Sequence, residues 1–264
     1  MATPEKPGFI QLFLALLVFV VSFPHTLMAQ DAQGKSVLEL IDMVRVKGCE
    51  FNMGTRGRAP DESPIHKVLL DDYYIGKYEV SQQIWAKVMG NDPEANYFSG
   101  CDSCPVEKVS WQNIMTFLKK LNAMTAMQFR LPSEAEWEFA ARGGCLSKGY
   151  QYSGSNSLSQ IAWYESNSAS RTHKVGSKRP NELDLYDMSG NVWEWCNDWY
   201  ARDYYEHSPN ENPPGPETGT ERVMRGGSWY FDNSGLRVSD RDKGDPELRY
   251  GYVGFRLCRS TNGE

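Results

Sequence analysis

Apolar and polar positions alternate along this chain in patterns that predict three helices, each preceded by a serine. Between Glu79 and Met89, Ser81 stands where a cap belongs, and Ile84/Val88 and Trp85/Met89 recur at i,i+4. Ser110 precedes a longer stretch in which Trp111, Ile114, Leu118 and Leu121 share one face. Ser133-Glu134-Ala135-Glu136 has the spacing of a capping box; Trp137, Ala140 and Ala141 then face inward, and Gly143 ends the helix. Short strands are expected at Phe51–Gly54, Lys67–Leu70 and Gly251–Cys258. From Gly144 onward, short apolar pieces alternate with Gly, Asn, Asp and Pro, which predicts a loop-rich α+β domain with few long regular elements. Trp85, Trp111, Trp137 and Trp163 fall 26 residues apart, but their flanks are unrelated and the spacing is read as chance.

The N-terminus breaks this pattern. An apolar run from Phe9 to Phe23 follows Lys6, and Leu27-Met28-Ala29 offers a cleavage point before Gln30. Residues 1–29 therefore read as a signal peptide, which leaves no membrane span after cleavage. The run is short for a spanning helix, although a retained anchor is the rival reading. No Cys lies near the cleavage point to support a lipid anchor. Residues 30–44 form a lead-in, overlapping an amphipathic stretch at Val37 to Val46, and residues 45–260 read as one domain. The Pro- and Gly-rich stretch from Ser208 to Thr220 is read as a surface loop, since characteristic segments flank it.

Composition narrows the function. Among 264 residues, 28 are basic and 34 acidic, a formal charge of −6 that argues against a nucleic-acid partner. Aromatic residues make up 12%, enough for a large buried or binding surface. The six cysteines all follow the predicted cleavage point, and an even number in an exported chain suggests disulfides. Cys101-Asp102-Ser103-Cys104 could hold metal or exchange thiols, but neither a second Cys pair nor a nearby His completes a zinc set. A structural disulfide is the favoured reading, with the partners left open.

Two loops carry candidate chemistry. In the run LYDMSGNVWEW at 185–195, Asp187 and Glu194 flank a turn at Gly190, an arrangement suited to Ca²⁺ held by carboxylates and carbonyls. The competing reading makes Trp193 and Trp195 core and the acids surface or capping groups. In Arg225-Gly226-Gly227-Ser228-Trp229, the glycines permit close backbone approach, either to a ligand groove or under an aromatic cluster. No G-x-S-x-G and no phosphate loop is present.

In order, Phe51-Asn52-Met53-Gly54, Pro64–Val68, Tyr78–Ser81, Pro105–Trp111, RLPSEAEWEFAARGG at 130–144, LYDMSGNVWEW, RGGSW and GFR at 254–256 resemble the formylglycine-generating enzyme, or sulfatase-modifying factor, family. The resemblance covers about residues 45–259. It implies a single domain with little regular structure, distantly related to C-type lectins. It also implies oxidation of a sulfatase Cys, in a C-x-P-x-R peptide, by oxygen at a Cu(I) held by two thiolates. The segment SWYFDNSGLRVSDR, from Ser228 to Arg241, contains no Cys; the first family thiol falls near Phe231 and the second near Gly235 or Leu236. That argues against copper.

The family's calcium site falls on Asp187, Gly190, Val192 and Glu194, so Ca²⁺ is the expected cofactor. A second family calcium site, around Gln160, Ile161, Ser168 and Ser170, has Ser168 where an Asp is required. Leu118, Ala141 and Val238 stand where family cysteines are expected. An iron-dependent branch needs a set of His that this chain lacks.

The reading favoured by these residues is an exported pseudoenzyme, periplasmic or extracellular, acting as a binding or structural module of the cell envelope. Its partner would be a protein, peptide or glycan, gripped by a groove drawn from Arg225, Ser228, Trp229, Tyr230 and Arg241. The alternative is a formylglycine-generating oxidase with a variant site, in which Cys196 or Cys258 would have to serve.

Overall fold

The computed structural model describes residues 1–2, 36–92 and 94–261. The predicted signal peptide lies almost wholly outside the described residues. Among them, no helix is long and apolar enough to cross a membrane.

The three serines cap the helices predicted from them. Ser81 accepts from the Ile84 amide at the head of α1 (Gln82–Met89). Ser110 opens α2 (Trp111–Thr125) and Ser133 opens α3 (Glu134–Ala141), each through a reciprocal box, with Asn113 and Glu136 returning the bond. Helix α1 starts after Val80, because the amide and carbonyl of Val80 are engaged in bridges to Phe255 and Val106. Helix α3 is buried on nearly every side, Glu134, Glu138 and Phe139 included, so its inward face is wider than Trp137, Ala140 and Ala141. Two one-turn helices follow among the described residues, α4 (Leu158–Ile161) and α5 (Tyr204–His207).

Among the described residues, nine short strands form three sheets. β1 (Met43–Val46), β4 (Tyr73–Gly76) and β9 (Cys258–Ser260) make one antiparallel sheet that ties the two ends of the domain together. Met43 and Val44 are therefore part of a strand, and the fully buried Val37 packs in the core, so the folded unit begins before the expected boundary at residue 45. β2 (Glu50–Met53) and β3 (His66–Leu69) form a two-stranded ribbon. The third sheet runs β7-β6-β5-β8, made of β5 (Trp193–Trp199), β6 (Arg222–Arg225), β7 (Asp242–Gly244) and β8 (Val253–Gly254). The single strand expected over Gly251–Cys258 is thus two, β8 and β9, which belong to different sheets.

Strand β5 separates two cores. On its first face, Trp193 and Trp195, with Met224 of β6, join a core in which Trp85, Phe117 and Phe255 stack or meet edge to face. On its other face, Cys196, with Val223 of β6, joins a second core built around α3. This alternation is the period of two that a strand imposes. Disulfides join Cys101 to Cys104 and Cys49 to Cys145; the latter closes a 96-residue separation and ties the approach to β2 to the turn after α3.

Candidate functional site

The 185–195 loop is set by backbone geometry before any side chain acts. Asp187, Gly190 and Asn191 all have positive φ. A Cβ on Gly190 would lie 2.4 Å from the Trp163 carbonyl oxygen, so no other residue fits there without displacing backbone. The resulting fold-back leads into β5 and buries Asp187, Asn191 and Glu194.

Glu194 is fully buried and tied to Arg256. Its Oε1 accepts from one Nη of Arg256 at 2.5 Å, and its Oε2 accepts from Arg256 Nε at 2.5 Å and from Trp137 Nε1 at 2.7 Å. The same guanidinium donates to the carbonyls of Gly76 and Tyr186. Nearby, Glu79 accepts from Asn191 Nδ2 at 2.6 Å and from the Val192 amide at 3.1 Å. Burial, with the charges of Asp187 and Glu194 beside it, pushes Glu79 well above the usual carboxylate range. Asp187 accepts from the Gly176 amide through Oδ2, while its buried Oδ1 has no partner. Burial pushes its pKa up to about 6.

An orphaned carboxylate oxygen, in a nest of three acids facing one arginine, suits an added cation. Among the described residues, however, no three His, Cys, Asp or Glu side chains converge as a metal-binding group. Glu194 is committed to Arg256, which leaves Asp187 as the open acceptor of the expected calcium set. In the second expected region, Ser168 Oγ donates to the Trp229 carbonyl and accepts from the Ser170 amide, and Gln160 is occupied by Arg179.

The five groove candidates do not share a surface. Arg225 is fully buried, paired to Glu138 and bonded to the carbonyls of Asp240 and Val238. Arg241 clamps Glu134 at 2.6 and 2.8 Å. Burial would raise Glu138, but the guanidiniums of Arg142 and Arg225 overcome it and hold its carboxyl below the ordinary range. Arg225 and Arg241 thus form a buried ion lattice on α3; a charge beside a glycine pair reads as exposed in sequence, yet here it faces inward. Ser228 is also fully buried, and Trp229 keeps 9% of its surface exposed.

Tyr230 alone of the five is open, at 60% exposure. It lies nearly parallel to Tyr252 at 6.0 Å and edge-on to Trp229 and Phe231. A shallow pocket of about 300 Å³ beside it is lined by Glu165, Ser170, Trp229 and Tyr230. Phe231, near which the first thiol is expected, packs edge-on to Trp193 and Tyr252. Leu236, near the second, is fully buried against Leu158, Ile161 and Ala162. Among the described residues the cysteines outside disulfides are Cys196 and Cys258, both buried in the second core, where desolvation pushes their thiols well above the ordinary value.

Sequence reasoning missed Glu79, Trp137 and Arg256 as partners of the loop. Each lies inside a motif it had singled out, but the contacts span 57 to 113 positions.

The model of the sulfatase-modifying factor enzyme 1-like domain matches residues 28–261. A formylglycine-generating enzyme of Streptomyces coelicolor is 36% identical, over 83% of this chain and 89% of its own length. The chaperone protein LppX of Paenibacillus barcinonensis is 30% identical over the same shares. The serine/threonine-protein kinase pkn1 of Chlamydia pneumoniae is 30% identical over 98% of this chain, which spans only 44% of that protein. Among solved structures, Treponema denticola variable protein 1 superposes with a TM-score of 0.76 at 32% identity, over 83% of this chain and 95% of its own. PvdO from Pseudomonas aeruginosa superposes at 0.71 and 27%, over 83% and 94%.

Proposed function

The chain belongs to the sulfatase-modifying factor enzyme 1-like domain family, and from that footing we propose that it is an exported, non-catalytic member. It serves as a binding or structural module of the cell envelope and presents the aromatic face around Tyr230 to a peptide or glycan. The observation that carries this reading is the filling of the segment after Ser228. The expected thiol positions fall near Phe231 and near Gly235 or Leu236; Phe231 packs against rings and Leu236 against aliphatic side chains, and none of the three side chains can hold a cuprous ion. The relative named as a chaperone supports a role without redox chemistry.

The test is direct. The purified protein is incubated with a C-x-P-x-R peptide, Cu(I) and oxygen, and the peptide is weighed by mass spectrometry. An unchanged peptide is the expected result; the mass loss of thiol-to-aldehyde conversion overturns the reading. The second reading, an oxidase with a variant site, draws on the relatives named formylglycine-generating enzymes and requires Cys196 or Cys258 to reach substrate. Under the first reading, a thiol reagent labels neither cysteine in the folded protein.

We further propose that the 185–195 loop holds Ca²⁺ as a structural cofactor, with Asp187 Oδ1 as the acceptor on which the site turns and the carbonyls of Gly190 and Val192 beside it. Calcium supplies charge neutralisation for the buried acids there. Adding a chelator lowers the melting temperature of the wild type and leaves Asp187→Ala unmoved. A wild type indifferent to chelation removes calcium from the account.

A further inference from the structure

We propose that the cleft between the β2–β3 connection and the C-terminal end of α3 is a second binding site, which takes ligands through a phosphate, sulfate or carboxylate group. The cleft has a volume of about 350 Å³, and its walls include Thr55, Arg58, Arg142, Tyr150, Asn156 and Arg237. An adjoining compartment of about 250 Å³ shares Arg58 and Arg237. Three arginines line these spaces, and no carboxylate lines either one.

The arginines differ in what they have left to donate. Arg237 is fixed: it clamps Glu62 at 2.6 and 2.8 Å, bonds Asp240 at 2.9 Å and donates Nε to the Ser234 carbonyl. Glu62 and Asp240 are therefore held by Arg237, and neither lines the opening. Arg142 donates Nε and Nη2 to Glu138 and Nη2 to the Gly54 carbonyl, and among the described residues no hydrogen bond engages its Nη1. Glu138 is shared with Arg225, so two guanidiniums divide one carboxylate beneath the cleft. Arg58 is exposed and has no ion pair or hydrogen bond among the described residues.

The polar wall adds donors. Asn156 Oδ1 accepts from the Gln151 amide, which leaves the side-chain NH₂ for the opening. A cleft whose uncommitted charged groups are guanidiniums selects a ligand made of acceptors. Paired guanidinium donors match the oxygens of phosphate, sulfate or carboxylate. This electropositive spot sits in a chain of net charge −6, so it is a local feature of the fold rather than a general basicity. It does not involve the Tyr230 face and stands whether or not that face binds anything.

The experiment is calorimetric titration of the full protein at low ionic strength, with inorganic phosphate, inorganic sulfate and acetate in separate arms. Saturable binding of at least one anion is expected. Arg58→Ala weakens it several-fold and Arg58→Glu by about tenfold or more, with unchanged melting curves because Arg58 is exposed and makes no hydrogen bond or ion pair among the described residues. A preference for phosphate or sulfate over acetate assigns a tetrahedral group, and the reverse assigns a carboxylate. Tyr230→Ala binds as the wild type does. The proposal falls if no anion gives saturable heat, if Arg58→Glu binds like the wild type, or if Tyr230→Ala weakens binding as much as Arg58→Glu.

Discussion

The acid–arginine interior and the aromatic face around Tyr230 lie a few residues apart in sequence and obey opposite rules. Inside, the charged groups are matched pair by pair, Glu194 with Arg256 and Trp137, Glu138 with Arg225 and Arg142, Glu134 with Arg241, while Asp187 Oδ1 and Arg225 Nε are left without a hydrogen bond. Outside, Tyr230 and Tyr97 leave 60% and 65% of their surfaces in water and make ring contacts that a neighbour could replace. The interior fixes the fold by desolvated pairs that fail when one member is lost. The ring of Tyr230 meets other rings rather than buried charges.

The largest test of that contrast is Arg256→Ala. It leaves Glu194 buried without its guanidinium partner and takes the donor from the carbonyls of Gly76 and Tyr186. Urea unfolding should show a loss of about 3–5 kcal/mol; a loss under 1 kcal/mol would mean the pair is not what fixes the interior. Next comes Asp198, a buried acid that accepts from the Glu134 amide. Burial, then the charge of Glu134, pushes its pKa up to about 8 from 3.8. A carboxyl raised in the folded state adds stability that is complete below about pH 4 and lost as pH rises through 8. Asp198→Asn should therefore melt like the wild type near pH 4 and be clearly the more stable of the two at pH 9, read from thermal melts across that range. The smallest effect belongs to Tyr230→Ala, expected to change stability by no more than about 0.5 kcal/mol. A larger loss in denaturant melts would place Tyr230 in the structural half of the comparison.

How much of this was legible in the sequence depended on range. The caps at Ser81, Ser110 and Ser133 act over three residues, and they were read correctly. The inward residues of α2 followed from their spacing. Strand β5 was missed because both its faces are buried, which erases the alternation that marks a half-exposed strand. The ion lattice could not be seen because its partners are 62 to 107 positions apart: Glu194 and Arg256, Arg225 and Glu138, Arg241 and Glu134. The same blindness put Arg225 and Arg241 in a surface groove. Six cysteines left fifteen possible pairings open, and folding joins two pairs and leaves Cys196 and Cys258 as thiols.

The sheet β1-β4-β9 joins Met43–Val46, near the start of the domain, to Cys258–Ser260, near its end. Glu194 likewise takes its counter-ion, Arg256, from 62 positions further on, and its parallel neighbour, β8, from the same stretch. The interior is therefore closed from a distance: until that later stretch docks, the acid of β5 has no balancing charge beside it.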